Sequence, residues 1–454
     1  MEDSWSSSVD AHLDWVPGSG RQGLAKAVRT AIRDGRWRAG AVVPSTRALA
    51  HDLGLARGTV TKVYVDLVAE GYLRSSQGAP TRVATAGMDP SPRPRPGPAA
   101  NPGYRWTLLP GRPDPSLFPR SRWLWATRRV LQHTPNQSFG FGDPRGSAEL
   151  RATLSGYLGR ARGVLADPAR MVICAGYSQA MPVLARALRE VGITEMAFED
   201  PSFPRFRDLV SAAGQRVVGV PVDEAGLRVD ALGSPAAVVT PAHQAPLGVT
   251  MAPARRTTLV RHGAVVIEDD YDGEFRYDRQ PVGALQALAP ERVIYAGTAS
   301  KTLSPSLRLA WLVLPRSLVD PVVAAMSAGG AHPPVLEQLV LADMIDSGAF
   351  DRHVRRCRLE YRSRRDRLVA ALPSRLTPRG ISAGLHLVLP LSDSAEAAIP
   401  AAARAHSVAL MTLSPQLMHP DEQHRGLIVG YGASPAHSFG GALEALLAVL
   451  AEIG

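Results

Sequence analysis

The sequence predicts an α/β protein in two unequal parts: a small basic helical module, then a large domain built on a mostly parallel sheet. Three observations carry this reading. Helical periodicity with a strong basic excess opens the chain, a proline-rich stretch follows, and short β-branched runs then alternate with longer helical segments. The 454 residues exceed what one hydrophobic core organises, so more than one domain is expected. A hydrophobic share of 45% and a charged share of 20% describe ordinary globular composition. No unbroken apolar run reaches the roughly 18 residues of a spanning helix. Residues 1–14 are polar and acidic, without an apolar leader core. Cys174 and Cys357 lie far apart, so no metal cluster is expected, and a reducing cytoplasm is.

The first module spans 15–84. Within 17–84, eleven Lys or Arg stand against four Asp or Glu, an excess of seven positive charges. Leu24, Ala27, Val28, Ala31 and Ile32 share one helical face. A second helix is expected after Pro44, with Ser45 as N-cap, Ala48, Leu49 and Leu53 buried, and Gly54 ending it. A third, over 57–70, buries Val60, Val63, Tyr64, Leu67 and Val68 and exposes Arg57, Thr59, Thr61 and Lys62. A two-stranded wing follows, 72–74 against 81–83. Two short helices joined by a tight glycine turn let the second enter a major groove while the first crosses the backbone. Arg57, Thr59, Thr61 and Lys62 are therefore the candidate base and phosphate contacts, and Ser45 and Arg47 the phosphate contacts from the preceding helix. Double-stranded DNA is the expected partner.

Residues 85–104 carry six prolines and no apolar periodicity, which favours an extended linker. The large domain then occupies 105–454. Strands are expected at 171–174, 195–198, 215–220, 236–240, 264–268 and 293–295, alternating with helices in the manner of a parallel sheet covered on both faces. Ligands of such sheets sit beyond the carboxyl ends of the strands.

Lysine occurs only at 26, 62 and 301 in a chain otherwise rich in arginine. A position that keeps lysine against that bias points to a need for a primary amine, which arginine cannot supply. Lys301 lies in "VIYAGTASKTLSPSLRLAWLVLP", with Thr298, Ser300 and Arg308; "VVIEDDYDGEFRY" places Asp269 and Tyr271 after a buried strand; "VICAGYSQAM" offers Tyr177, Ser178 and Gln179 between strand and helix. A helix opened by small residues presents amides and a positive dipole end to an anion. Amine, carboxylate, phenol and anion loop are the groups that pyridoxal phosphate needs.

Here a resemblance adds to the residues. The stretch "VPSTRALAHDLGLARGTVTKVYVDLVAEGYL" resembles the GntR-type winged helix-turn-helix, and residues 105–454 resemble fold-type-I aminotransferases; the whole chain looks like the MocR/GabR-type regulators. Also matching are "GRPDPSLFPRSRW", "FGFGDPRGSAELRATLSGYL", "FEDPSFPRFR", "TPAHQAPLGVTM" and "SAGLHLVLPL". The resemblance implies that Lys301 joins pyridoxal phosphate as a Schiff base, Asp269 pairs with the pyridine nitrogen, and Tyr271 donates to the phenolic oxygen. It implies that Tyr177, Ser178, Gln179, Thr298, Ser300 and Arg308 hold the phosphate, Phe203 stacks on the ring, and His243 and Gln244 line the pocket. A homodimer is implied as well.

The chain departs from the pattern in several places. Ala56 stands where a capping Ser is usual, and the wing turn reads Gly78-Ala79-Pro80 where a Gly-Ser-Gly type is common. Ala245 and Leu247 replace an aromatic and a threonine. The arginine that holds a substrate carboxylate in aminotransferases aligns with Ile428, leaving Arg425 or Arg205 as substitute anion contacts. The resulting expectation is a DNA-binding regulator that senses either pyridoxal phosphate itself or an amine or amino acid forming an external aldimine with it. The alternative is an active aminotransferase with an accessory DNA-binding module; a scaffold with a dead cofactor site conflicts with the retained constellation.

Overall fold

The periodic apolar residues near the N-terminus fold onto three helices: α1 (Gly20–Arg33), α2 (Thr46–Asp52) and α3 (Arg57–Ala69). These belong to the first of two units, Met1–Ala100 and Asn101–Gly454, in a computed structural model that describes residues 13–84, 103–277, 282–330, 332–420 and 424–454. Most of the expected linker, 85–102, lies outside the described residues. The Ser45 hydroxyl accepts from the Ala48 amide at 3.1 Å and caps α2. Beyond that helix Gly54 takes φ 64°, a left-handed conformation open to glycine without a Cβ penalty. Tyr64 donates to the Pro44 carbonyl at 2.8 Å and ties α3 to the start of α2. Leu24, Val28, Leu49, Val60, Val63 and Leu67 form the core together with Trp37. Val68, expected in that core, is only partly buried, as are Ala48 and Leu53, expected buried on the second helix. The wing is shorter than expected: β1 (Leu73–Arg74) pairs antiparallel with β2 (Arg82–Val83).

In the second unit the β-branched runs form one eight-stranded sheet. Its strands are β3 (Met171–Cys174), β4 (Glu195–Asp200), β5 (Arg216–Asp223), β6 (Gly226–Leu227), β7 (Ala236–Val239), β8 (Val265–Asp270), β9 (Val293–Thr298) and β10 (Ala310–Val313). They lie in the order β3-β10-β9-β8-β7-β4-β5-β6. The run from β9 to β5 is parallel throughout; β10 is antiparallel to both neighbours, and β6 returns antiparallel on β5. All six expected strands are present, with ends shifted by a few residues. β6 and β10 are additions to them. Apolar clusters pack on both faces of the sheet, which accounts for its continuous hydrophobic strands. A smaller sheet of β11 (His386–Pro390), β12 (Met411–Thr412) and β13 (Gly426–Gly430) has its own core. Together with the three-helix module, this is the expected α/β architecture with a mostly parallel central sheet.

Candidate cofactor cavity and DNA-contact surface

The carboxyl ends of β3, β4, β8 and β9 open onto one cavity of about 320 Å³. Tyr177, Ser178, Phe203, Asp269, Tyr271, Thr298, Ser300, Lys301 and Arg308 all line it. At one end, β3 runs through Gly176 into α4 (Tyr177–Glu190). Gly176 has φ 85°, and a Cβ there would lie 3.1 Å from the Arg308 guanidinium, so glycine is what lets that cation rest against the loop. Thr298 Oγ1 accepts from the Ser300 amide at 3.1 Å and sits 2.9 Å from Ser300 Oγ. Two hydroxyls, a helix N-terminus and a guanidinium make a cup for a phosphate.

In the middle, Asp269 is the penultimate residue of β8, with its carboxyl pushed up to about 8, chiefly by burial. The Tyr177 hydroxyl beside it is buried and faces that carboxyl. The Tyr271 oxygen lies 3.0 Å from His243 Nδ1, which lies 2.9 Å from Asp272 Oδ2. Lys301 donates to the Gly111 carbonyl. Burial lowers the pKa of its amine; Asp272 and Asp269 oppose that shift and Arg112 adds to it. The residues fit pyridoxal phosphate. A cationic ring nitrogen would let the buried Asp269 carboxyl ionise, and the cup suits the phosphate.

In the first unit Arg57, Thr61 and Lys62 are exposed on α3 and Thr59 is half-buried. The Thr61 hydroxyl donates to the Arg57 carbonyl at 3.0 Å. Arg47 and Ser45 are exposed on the preceding turn. Ser45 uses its oxygen as the cap and keeps its O–H for another acceptor.

Residues 21–83 match the bacterial regulatory proteins of the gntR family, and residues 115–420 match aminotransferase class I and II. The chain belongs to the MocR-type regulators. It is 35% identical to the probable rhizopine catabolism regulatory protein MocR of Rhizobium meliloti, over 90% of this chain and 89% of that one. It is 31% identical to the pyridoxine biosynthesis transcriptional regulator PdxR of Corynebacterium glutamicum, over 81% and 82%. An archaeal alanine:glyoxylate aminotransferase shares the fold with a TM-score of 0.69 and 25% identity, over 76% of this chain and 90% of that one. This MocR-type protein is thus a DNA-binding transcriptional regulator whose aminotransferase-like domain binds pyridoxal phosphate.

Four residues expected at the regulator's cavity do not line it. Gln179 turns its side chain back to accept from the Ala175 amide, which shortens its reach toward a phosphate. Gln244 donates to the Pro201 carbonyl at 3.0 Å and accepts from the Leu247 amide at 2.8 Å, so it braces two loops. His243 stands behind the wall, against Tyr271 and His386. Arg425 is held by Asp393 at 2.6 Å and Ser414 at 3.1 Å, away from the cavity. Ile428 pairs with Val388 and packs in an apolar cluster, so no cation stands at that register. Arg205 is exposed and contributes to the wall. The sequence reading missed Glu199 and His386, both in the wall. Each lies inside a family-like segment, "FEDPSFPRFR" and "SAGLHLVLPL", but neither has a spacing partner to single it out. Burial pushes the Glu199 carboxyl up to about 7 and the His386 imidazole down to about 4.

Proposed function

We propose that this regulator couples DNA binding to the occupancy of its cofactor cavity, responding to pyridoxal phosphate itself or to a primary amine or amino acid taken up there. It acts as a cytoplasmic homodimer. The observation that carries the reading is the convergence of Lys301, Asp269 and Tyr271 on one cavity, in a chain that also holds a helix-turn-helix. When bound, the cofactor supplies an electrophilic carbon that captures amines. Lys301, with its pKa lowered by burial, offers a neutral amine more readily than a solvated lysine does. Asp269 holds a proton on the ring nitrogen, and His243, itself tied to Asp272, orients the Tyr271 phenol. Arg308, Thr298 and Ser300 take the phosphate charge.

The displacement of Arg425 and the apolar setting of Ile428 favour sensing over transamination. Without a carboxylate anchor at the usual place, an amino acid is not aligned for proton removal. Exposed Leu124, Trp125, Leu131, Phe139 and Phe141, all within one segment, support a second copy as the cover of this face. The test is a spectral titration of the holoprotein over an amine and amino-acid panel, read beside operator binding and keto-acid release. Shifts in DNA affinity without sustained turnover are expected. Efficient multiple turnover with an ordinary amino acid and keto acid would overturn the regulator-only reading.

A further inference from the structure

We infer that Arg112 is the anion contact of this cavity, so that the preferred effector is a primary amine that also carries a carboxylate. The inference rests on the amine-sensing reading above. Arg112 follows Gly111, which lines the cavity and whose carbonyl accepts from Lys301 Nζ. A Cβ at Gly111 would lie 3.4 Å from that nitrogen, so the chain passes directly over the amine.

The backbone there is clamped. A Cβ at Gly430 would meet the Leu109 carbonyl oxygen at 2.2 Å, and one at Gly432 the Arg112 carbonyl oxygen at 2.7 Å. The Gly430 amide donates to Leu108 at 2.7 Å. Beyond Arg112, buried Asp114 pairs with Arg364 at 2.7 Å. Flanking Pro110 and Pro113 restrict the loop further. The Arg112 Cα is therefore fixed next to the reacting end of the cavity, while its side chain is exposed and meets no acidic partner among the described residues.

The other cations are placed differently. Arg425 is paired with Asp393, Arg308 lies against Gly176 at the phosphate end, and Arg205 lines the wall from α5 (Pro204–Ala212), two residues after Phe203, rather than from the loop that passes over Lys301. Buried Asp272, paired with His243, acts on the charge of Lys301 and disfavours a carboxylate on its own side of the amine. An anion attached to an amine bound at Lys301 is thus driven outward, toward Arg112. A guanidinium can grip it through two parallel hydrogen bonds, which a lysine cannot reproduce.

The experiment uses full-length holoprotein with one cofactor per chain, titrated with β-alanine against n-propylamine and L-alanine against isopropylamine. The absorbance of the bound cofactor is the readout. The carboxylate member of at least one pair is expected to half-saturate the wild type at about 10–100-fold lower concentration, the range of a charge-assisted hydrogen bond. R112Q should bring that ratio near one, and R112K should restore part of it. In R112Q the pH midpoint of the cofactor spectrum should also move upward, because a cation near Lys301 is gone. Equal response to both members of each pair, or a ratio that survives R112Q or collapses only in R205Q, overturns the Arg112 assignment and leaves amine sensing standing. A wild type that answers to no amine overturns both.

Discussion

At the scale of single residues, burial raises four carboxyls of the large unit, two of them in the cavity wall. Asp269 is pushed up to about 8, and Glu199, Glu268 and Glu274 to about 7. A carboxyl raised above its unfolded value favours the folded state fully below that value, and this contribution is lost as pH rises through the folded value. Cofactor-free protein should therefore melt at lower temperature as pH goes from about 5 to 8. Asp269→Asn should flatten part of the decline, raising the melting temperature at pH 8 by on the order of 2–4 °C while leaving pH 5 unchanged. The same variant should hold pyridoxal phosphate poorly, since an amide cannot pair with a ring N–H⁺ as a carboxylate does. A cofactor-free melting curve of Asp269→Asn parallel to wild type at all pH values would refute the argument. Lys301 offers a second check. Borohydride should fix the cofactor to the wild type at Lys301, and Lys301→Ala should retain it only non-covalently; peptide mapping that finds the label elsewhere would remove Lys301 from its role.

At the scale of elements, the sequence exposed what repeats and hid what does not. Runs such as Met171–Cys174 were legible because parallel strands buried on both faces read as unbroken apolar segments. β10 was missed for the opposite reason: four residues directly after the Arg308 loop, with no helical crossover to mark them. Trp37 fills the core of the small unit from outside any helical stripe, so periodicity could not assign it. At the site, residue types and order located the cavity, but side-chain direction was not legible. Gln244 sits in the right loop and Gln179 in the first turn of α4, but both side chains turn back onto nearby backbone, and Arg112 between two prolines reads as part of a turn. One local departure does have a readable energy. Ala56 is the N-cap of α3, extended at φ −65° and ψ 133°, with no side-chain cap. Ala56→Ser should supply the missing acceptor and stabilise the helix start by ~1 kcal/mol. Amide exchange over 57–60 should slow about five-fold; unchanged exchange would mean that the first turn is satisfied in another way.

At the scale of the whole molecule, two charge-driven equilibria meet in one chain. The excess of seven positive charges in 17–84 predicts binding to DNA that weakens steeply with salt, through release of condensed counterions. Arg57→Ala and Lys62→Ala should each weaken binding and flatten the salt slope by about 0.9 for every phosphate no longer neutralised, whereas an altered sequence preference with an unchanged slope would mean that the side chain reads a base. The second equilibrium is the filling of the cavity. If an effector changes operator affinity by some factor, thermodynamic linkage requires the operator to change effector affinity by the same factor, whatever structural route connects the units. The expected coupling is about 5–150-fold. It is measured twice on one preparation of holoprotein, once as operator affinity with and without saturating ligand, and once as the spectral titration with and without saturating operator. Equal factors would establish that the cavity and the helix-turn-helix share one conformational equilibrium. A ligand that perturbs the bound cofactor yet leaves operator affinity unchanged would be a bystander of the cavity, and if every ligand including pyridoxal phosphate behaved so, the two units would be independent and the coupling reading would fall.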